Sequence, residues 1–160
     1  MMLNNFLLKL KFWHKPKIVI FQCDNQEMVK KTIFQIVPKG FSIDKEILFV
    51  DSLEKIDLSE IEYVILNIDN IKKPEIKKPK VITFGFQWNA DFQVSDIKQT
   101  SDYTNFKINY QGNVVPIWLD GAFAQKEISA VLTAIIIGTI FNLNLVEISQ
   151  KLKSPHRLEA

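Results

Sequence analysis

Cys23 is the only cysteine in the 160 residues, so no disulfide can form within the chain and no Cys/His cluster offers tetrahedral zinc ligation. A reducing, cytoplasmic setting is expected. Histidine is nearly as scarce: His14 and His156 stand at opposite ends without a Glu-x-x-His spacing, which argues against a metal site. Neither sign of charge dominates. Twenty basic residues against 18 acidic ones leave a net charge of +2, too balanced to make nucleic acid the expected partner. No apolar run is long enough for a membrane span, and no internal repeat or low-complexity segment is present. What remains is a chain 47% hydrophobic and 24% charged, which suits one globular domain with its own core.

In the N-terminal stretch, Leu3, Phe6, Leu7, Leu10 and Trp13 recur at helical spacing, predicting an amphipathic helix over residues 1–14. It lacks the small-residue cleavage site of a secretory signal. The expected role of its apolar face is to pack on the domain; the alternative is peripheral contact with the inner face of the membrane. The domain itself is expected to occupy residues 15–160.

After Pro16, the β-branched run Lys17 to Phe21 suits a strand covered on both faces of a parallel sheet. A helix should follow, capped by Asp24 or Asn25, with Val29, Ile33, Ile36 and Val37 inward until Pro38 and Gly40 end the pattern. Ile47–Val50 and Tyr63–Asn67 read as further buried strands in a β-α-β rhythm. Lysines 72, 73, 77, 78 and 80 with Pro74 and Pro79 make residues 71–80 an exposed, irregular connection, and with no aromatic residue interleaved it does not suit base stacking. A buried strand returns at Val81–Phe84 and ends at Gly85. The period then changes to two, predicting a small antiparallel sheet of residues 92–97, 104–110 and 114–119, with a turn at Gln111-Gly112-Asn113. Residues 125–141 are apolar almost all round and should form a largely buried helix. A last helix from about Leu145 to Lys153 has Asn144 as its cap, Glu147 completing a capping box, and Lys151 and Lys153 at its C-terminal end.

Several stretches resemble the central domain of the ATP-dependent Mur ligases. Lys80-Val-Ile-Thr-Phe-Gly-Phe-Gln-Trp-Asn-Ala-Asp91 is similar to the family's strand ending in Phe-Gly, followed by Ala-Asp and a small antiparallel sheet. Leu66-Asn-Ile-Asp-Asn70 resembles its Leu-Asn-x-Asp-Asp strand end. Gly121 through Ile148 resembles its Gly-x-His-Asn helix, and Pro155-His-Arg-Leu-Glu159 its Pro-x-Arg-x-Glu junction into a C-terminal domain. The branch most resembled adds D-alanyl-D-alanine to the muramoyl tripeptide. The resemblance covers about Lys15 to Ala160, with a large deletion inside it. It implies an α/β fold: a parallel, Rossmann-like sheet of the P-loop NTPase type with flanking helices, plus a small antiparallel three-stranded sheet. It also implies ATP and magnesium as the family's cofactors.

Against that expectation, Gln22-Cys-Asp-Asn-Gln-Glu-Met28 stands where the family has Thr-Gly-Ser-x-Gly-Lys-Thr. Cys23 and Gln26 replace glycines that let backbone approach phosphate, Glu27 replaces the phosphate-binding lysine, and Met28 removes the magnesium-binding hydroxyl. Two like charges about 4 Å apart repel by ~1 kcal/mol in bulk water and ~4 kcal/mol at intermediate dielectric, so Glu27 opposes a polyphosphate. The segment from Lys39 to Glu62 is too short to carry the family's second magnesium ligands and modified lysine. Lys126 and Glu127 replace the His-Asn pair at the adenine side, and Ala130 replaces a further asparagine. Arg157 alone matches a nucleotide-contacting position.

The resemblance therefore implies a non-catalytic Mur-ligase-like domain with no catalytic or metal-binding residues and no bound ATP or magnesium. Its expected partner is an intact Mur ligase or another cell-wall enzyme. Alternatives are one part of a split ligase and a decayed gene product. Other chemistry is weaker. Cys23 with His14 suggests a thiol nucleophile, against the plainer reading of an inert core cysteine. Asp91 and Asp96 suggest an acid/base pair, against a structural role at the edge of a small sheet.

Overall fold

The computed structural model describes residues 17–38, 44–54 and 56–152. The amphipathic segment 1–14, both histidines and the Pro155–Glu159 run with Arg157 lie outside the described residues.

Seven strands form one sheet in the order β2-β1-β3-β4-β5-β6-β7. β1 (Ile18–Phe21), β2 (Ile47–Val50), β3 (Tyr63–Asn67) and β4 (Lys80–Gly85) run parallel. β1 and β3 are the apolar, β-branched runs expected of central strands, and Ile18, Val19, Val64, Ile65 and Leu66 are fully buried. β2 differs from the expectation of a buried strand. It is an edge strand, partly exposed along its length, with Leu48 48% exposed. A four-residue apolar run reads the same at a sheet's edge as at its centre, and only the chain path decides between them. The β2–β3 connection departs from the β-α-β rhythm as well. It carries one 3-10 turn, Leu58–Glu60, capped by Asp57, whose carboxylate accepts from the Ser59 N–H at 2.9 Å.

The antiparallel trio is present as expected: β5 (Phe92–Gln99), β6 (Tyr103–Tyr110) and β7 (Asn113–Asp120). It is continuous with the parallel half, because β5 runs beside β4 with Phe84 opposite Phe92 and Gly85 opposite Gln93. The β6–β7 turn is two residues, Gln111 and Gly112, with φ of 50° and 78°. Two consecutive positive φ values match the right-handed twist of a hairpin, and glycine adopts one without a Cβ clash. Asn113, expected in the turn, pairs with Tyr110.

The buried residues of all three described helices join one core on the same side of the sheet: α1 (Gln26–Ile36), α2 (Gln125–Ile140) and α3 (Leu145–Leu152). α2 lies among α1, α3, β3 and β4, which explains why it is apolar all round; Ala134, Ile135, Ile136 and Ile137 are fully buried. The opposite face of the parallel half holds Val19, Val64, Leu66 and Ile68, packed against loop residues such as Leu53, Leu58, Ile61 and Ile71. Asn144 caps α3 as expected, its side chain accepting from Val146 N–H at 2.7 Å. A glutamate reaching back to the backbone, predicted there for Glu147, is seen at α2, where the Ala124 N–H donates to Glu127 at 3.1 Å. Lys151 donates to the Ile36 carbonyl at 2.8 Å and so closes the C-terminal end of α1.

Candidate functional site

Between β1 and β3 the chain reverses its direction of travel across the sheet: from β1 it passes through α1 to β2 on one side, then returns to β3 on the other. In open α/β sheets ligands enter at the carboxyl ends of the strands flanking such a point. Here those ends are residues 22–25 after β1 and residues 68–70 after β3, with Lys126, Ser129, Ala130 and Thr133 of α2 alongside. Lys126 and Ala130, which the family resemblance puts at the adenine side, line the same crevice as residues 22–25. Asn67, Asn70, Ser129 and Thr133 also line the crevice. The Leu66–Asn70 match was the available signal for the two asparagines, and nothing in the sequence pointed to the other two. The crevice is open to solvent, and its recessed part has about 20 Å³, room for roughly one water.

The backbone donors at this end are partly committed. Gln22, with φ of 51°, gives its N–H to the Val50 carbonyl at 2.8 Å. Asn25 caps α1 by accepting from the Met28 N–H at 2.9 Å. Glu27 adds a carboxylate to the first turn, and Asp24 contributes another to the crevice. Cys23 is half-buried, and that burial pushes its thiol up. A backbone hydrogen bond involving Asn25 works the other way, and the nearby Asp24 charge raises it further. The result is a poor nucleophile near neutral pH, in line with the inert-core reading.

At the end of β4 the backbone donors meet carboxylates of the protein itself. Asp69 accepts from Phe86 N–H at 2.8 Å and from Gln87 N–H at 3.2 Å, while Asn67 accepts from Asp69 N–H at 2.9 Å. Asp91 accepts from both the N–H (2.8 Å) and the hydroxyl (3.0 Å) of Thr83, whose oxygen takes the Asp91 N–H in return at 3.0 Å. Asp96 instead pairs with Lys107 at 2.7 Å, and that hydrogen bond and charge hold its carboxyl below the usual range. With Asp91 tied to Thr83 and Asp96 to Lys107, the two do not form a shared acid/base pair. Among the described residues no group of three or more His, Cys, Asp or Glu is placed to hold a metal ion, and no helix is long and apolar enough to cross a membrane.

The class defined by this geometry is an α/β domain with a switch-point crevice. No family model matches the chain, and no curated protein matches it. Solved structures do. A UDP-N-acetylmuramoyl-L-alanyl-D-glutamate–2,6-diaminopimelate ligase superposes with a TM-score of 0.60 at 10% identity, over 91% of this chain and 47% of that one. MurF from Acinetobacter baumannii gives 0.60 at 9% identity, over 92% and 47%. A UDP-N-acetylmuramoylalanyl-D-glutamyl-2,6-diaminopimelate–D-alanyl-D-alanyl ligase from the same organism gives 0.53 at 9%, over 95% and 48%. The chain thus has a Mur-ligase-like fold and spans about half the length of these enzymes. The likeness extends to ligases that add different groups, so it does not single out one branch.

Proposed function

We propose that this chain is a non-catalytic Mur-ligase-like domain that acts by binding, as an accessory to peptidoglycan precursor synthesis in the cytoplasm. Its partner would be an intact Mur ligase or another cell-wall enzyme, with the D-alanyl-D-alanine-adding branch the first to try. The observation that carries this reading is the state of the crevice at the start of α1. Magnesium-ATP does not fit the residues there: the loop from Gln22 to Met28 has no glycine, Glu27 stands in the first turn, and the N–H groups of Gln22 and Met28 are already bonded. A phosphate chain at a helix N-terminus needs the opposite, namely free N–H groups, a nearby cation and close backbone approach.

Calorimetry of the full chain with magnesium-ATP should show no heat above dilution, and a dissociation constant below about 1 mM would overturn the reading. The combined change Cys23→Gly, Gln26→Gly, Glu27→Lys and Met28→Thr restores the loop chemistry alone, and groups that act as a unit do not recover activity one part at a time. The repaired chain should release no phosphate from ATP in the presence of muramoyl tripeptide and D-alanyl-D-alanine. Substrate-dependent release without a second chain would count against a purely binding role. A purified intact Mur ligase should co-elute with the unmodified chain, and failure of every such ligase to do so would remove the proposed partner.

A further inference from the structure

We infer that the outer face of β5, β6 and β7 is a saccharide-binding surface, independent of the altered nucleotide crevice. The inner face of these strands is core: Phe92, Val94, Phe106, Ile108, Val115, Ile117 and Leu119 are all buried. The outer face keeps large apolar groups in water, with Trp118 40% and Ile97 39% exposed. It is also concave. Between Ser95 and Lys98 the β5–β6 register shifts, with Asp96 at φ of 51°, and a bulge of this kind bends the strand that carries it. The resulting hollow has a volume of about 500 Å³, within the range of small-ligand sites.

The groups around this hollow define what it can hold. Trp118 lies directly across from Asn105, and its ring is braced by Tyr103 with centroids 5.4 Å apart and planes tilted by 42°. A braced aromatic ring loses little conformational freedom when a ligand packs on it. Beside it, Asn105 offers both a donor and an acceptor, Lys98 and Lys107 offer donors, and the Asp96 carboxylate offers an acceptor. Because Asp96 pairs with Lys107 at 2.7 Å and its charge also acts on Lys98, a polyanion would find little free positive charge and would meet Asp96. A wholly apolar ligand would cover the Asn105 amide and the Lys98 ammonium without answering them.

Addition of an extended peptide to the β7 edge is disfavoured as well. Counting from the Tyr110–Asn113 pair at the two-residue turn, Lys107 and Pro116 form a non-hydrogen-bonded pair, so Pro116 removes an N–H from the open side of the strand. A hexopyranose ring meets every requirement. Its C–H face packs on Trp118 and Pro116, while its hydroxyls both donate and accept toward Asn105, Lys98 and Asp96.

The test uses the full chain labelled with 5-fluorotryptophan and titrated with cellohexaose, maltohexaose and chitohexaose up to about 5 mM, followed by fluorine NMR. The resonance missing from Trp118→Phe identifies Trp118. It should shift with at least one oligosaccharide, with a dissociation constant of about 1 mM or tighter. Trp118→Ala, which removes the reporting ring and is therefore titrated by calorimetry beside the unmodified chain, should weaken binding roughly tenfold, and Trp118→Phe, titrated the same way and keeping an aromatic face, by less. Asn105→Ala provides an independent loss that does not touch the aromatic pair. No shift with any of the three sugars would overturn the proposal, as would shifts confined to the other tryptophans. Binding abolished by about 0.5 M salt would also overturn it, because it would mark simple attraction to the lysines.

Discussion

Two loops at the carboxyl end of the parallel strands do different things with their backbone N–H groups. After β4, the loop from Gly85 to Asp91 is clamped by the protein's own carboxylates: Asp69 takes the N–H groups of Phe86 and Gln87, and Asp91 takes both donors of Thr83. After β1, the loop from Gln22 to Asn25 leads into a helix whose first turn carries Glu27; the Asn25 side chain accepts from Met28 N–H, and the Gln22 N–H goes to the Val50 carbonyl. The first arrangement satisfies the buried Thr83 and the half-buried Phe86 N–H and so supports the fold. The second sets a carboxylate where a helix N-terminus would otherwise attract an external anion. Both loops follow the path of an open α/β domain, and the bonds from protein carboxylates to backbone N–H groups gather at the one after β4.

The contrast can be broken most forcefully at Gly85. Its φ is +153°, and a Cβ there would come within 2.7 Å of a carboxylate oxygen of Asp69. Gly85→Ala should therefore cost roughly 2–4 kcal/mol, combining backbone strain with overpacking. In a chain of this size that lowers the melting temperature by about 5–15 °C. In an Asp69→Ala background the added cost should shrink, because the clash is gone and only the strain remains. Gln22→Gly in the other loop should change stability by less than about 1 kcal/mol, since the relief of its positive φ is offset by a more flexible unfolded chain. Equal losses at the two sites would erase the distinction.

A middle-sized effect is expected at Cys23. Because burial raises its thiol, alkylation by iodoacetamide at pH 8 should be several-fold slower than for an unstructured thiol, and the two rates should converge as pH rises through the elevated value. A rate equal to or above that of the free thiol would restore the nucleophile reading.

The smallest effect concerns Asp96, whose pairing with Lys107 lies in water. Its carboxyl is lowered in the folded chain, so the pair's contribution is present above the ordinary carboxylate value of about 3.9 and is lost as pH falls through the folded value. Asp96→Asn should flatten that acid-side slope slightly in urea titrations and leave stability at pH 7 almost unchanged. A large loss at neutral pH would show that the bulge depends on the ion pair.

The elements themselves were legible because each depends on a local period. Alternating residues announced β5 to β7, helical spacing announced α1, and the apolar circumference of α2 demanded burial. The family-like stretches were legible as well, since their spacing is a property of the chain. The Asp69 clamp was not, because its partners are Phe86 and Gln87, far along the chain, and a carboxylate beside Asn67 reads equally well as solvated. The neighbour of β2, the junction of β4 with β5 and the gathering of all three described helices on one face also escaped a local reading. Composition and periodicity alone settled that this chain builds buried strands and helices without disulfide support. Tertiary structure decided which strand lies at the edge, which N–H each carboxylate receives and which residues meet at the switch point, because those outcomes depend on register and distance between segments remote in sequence.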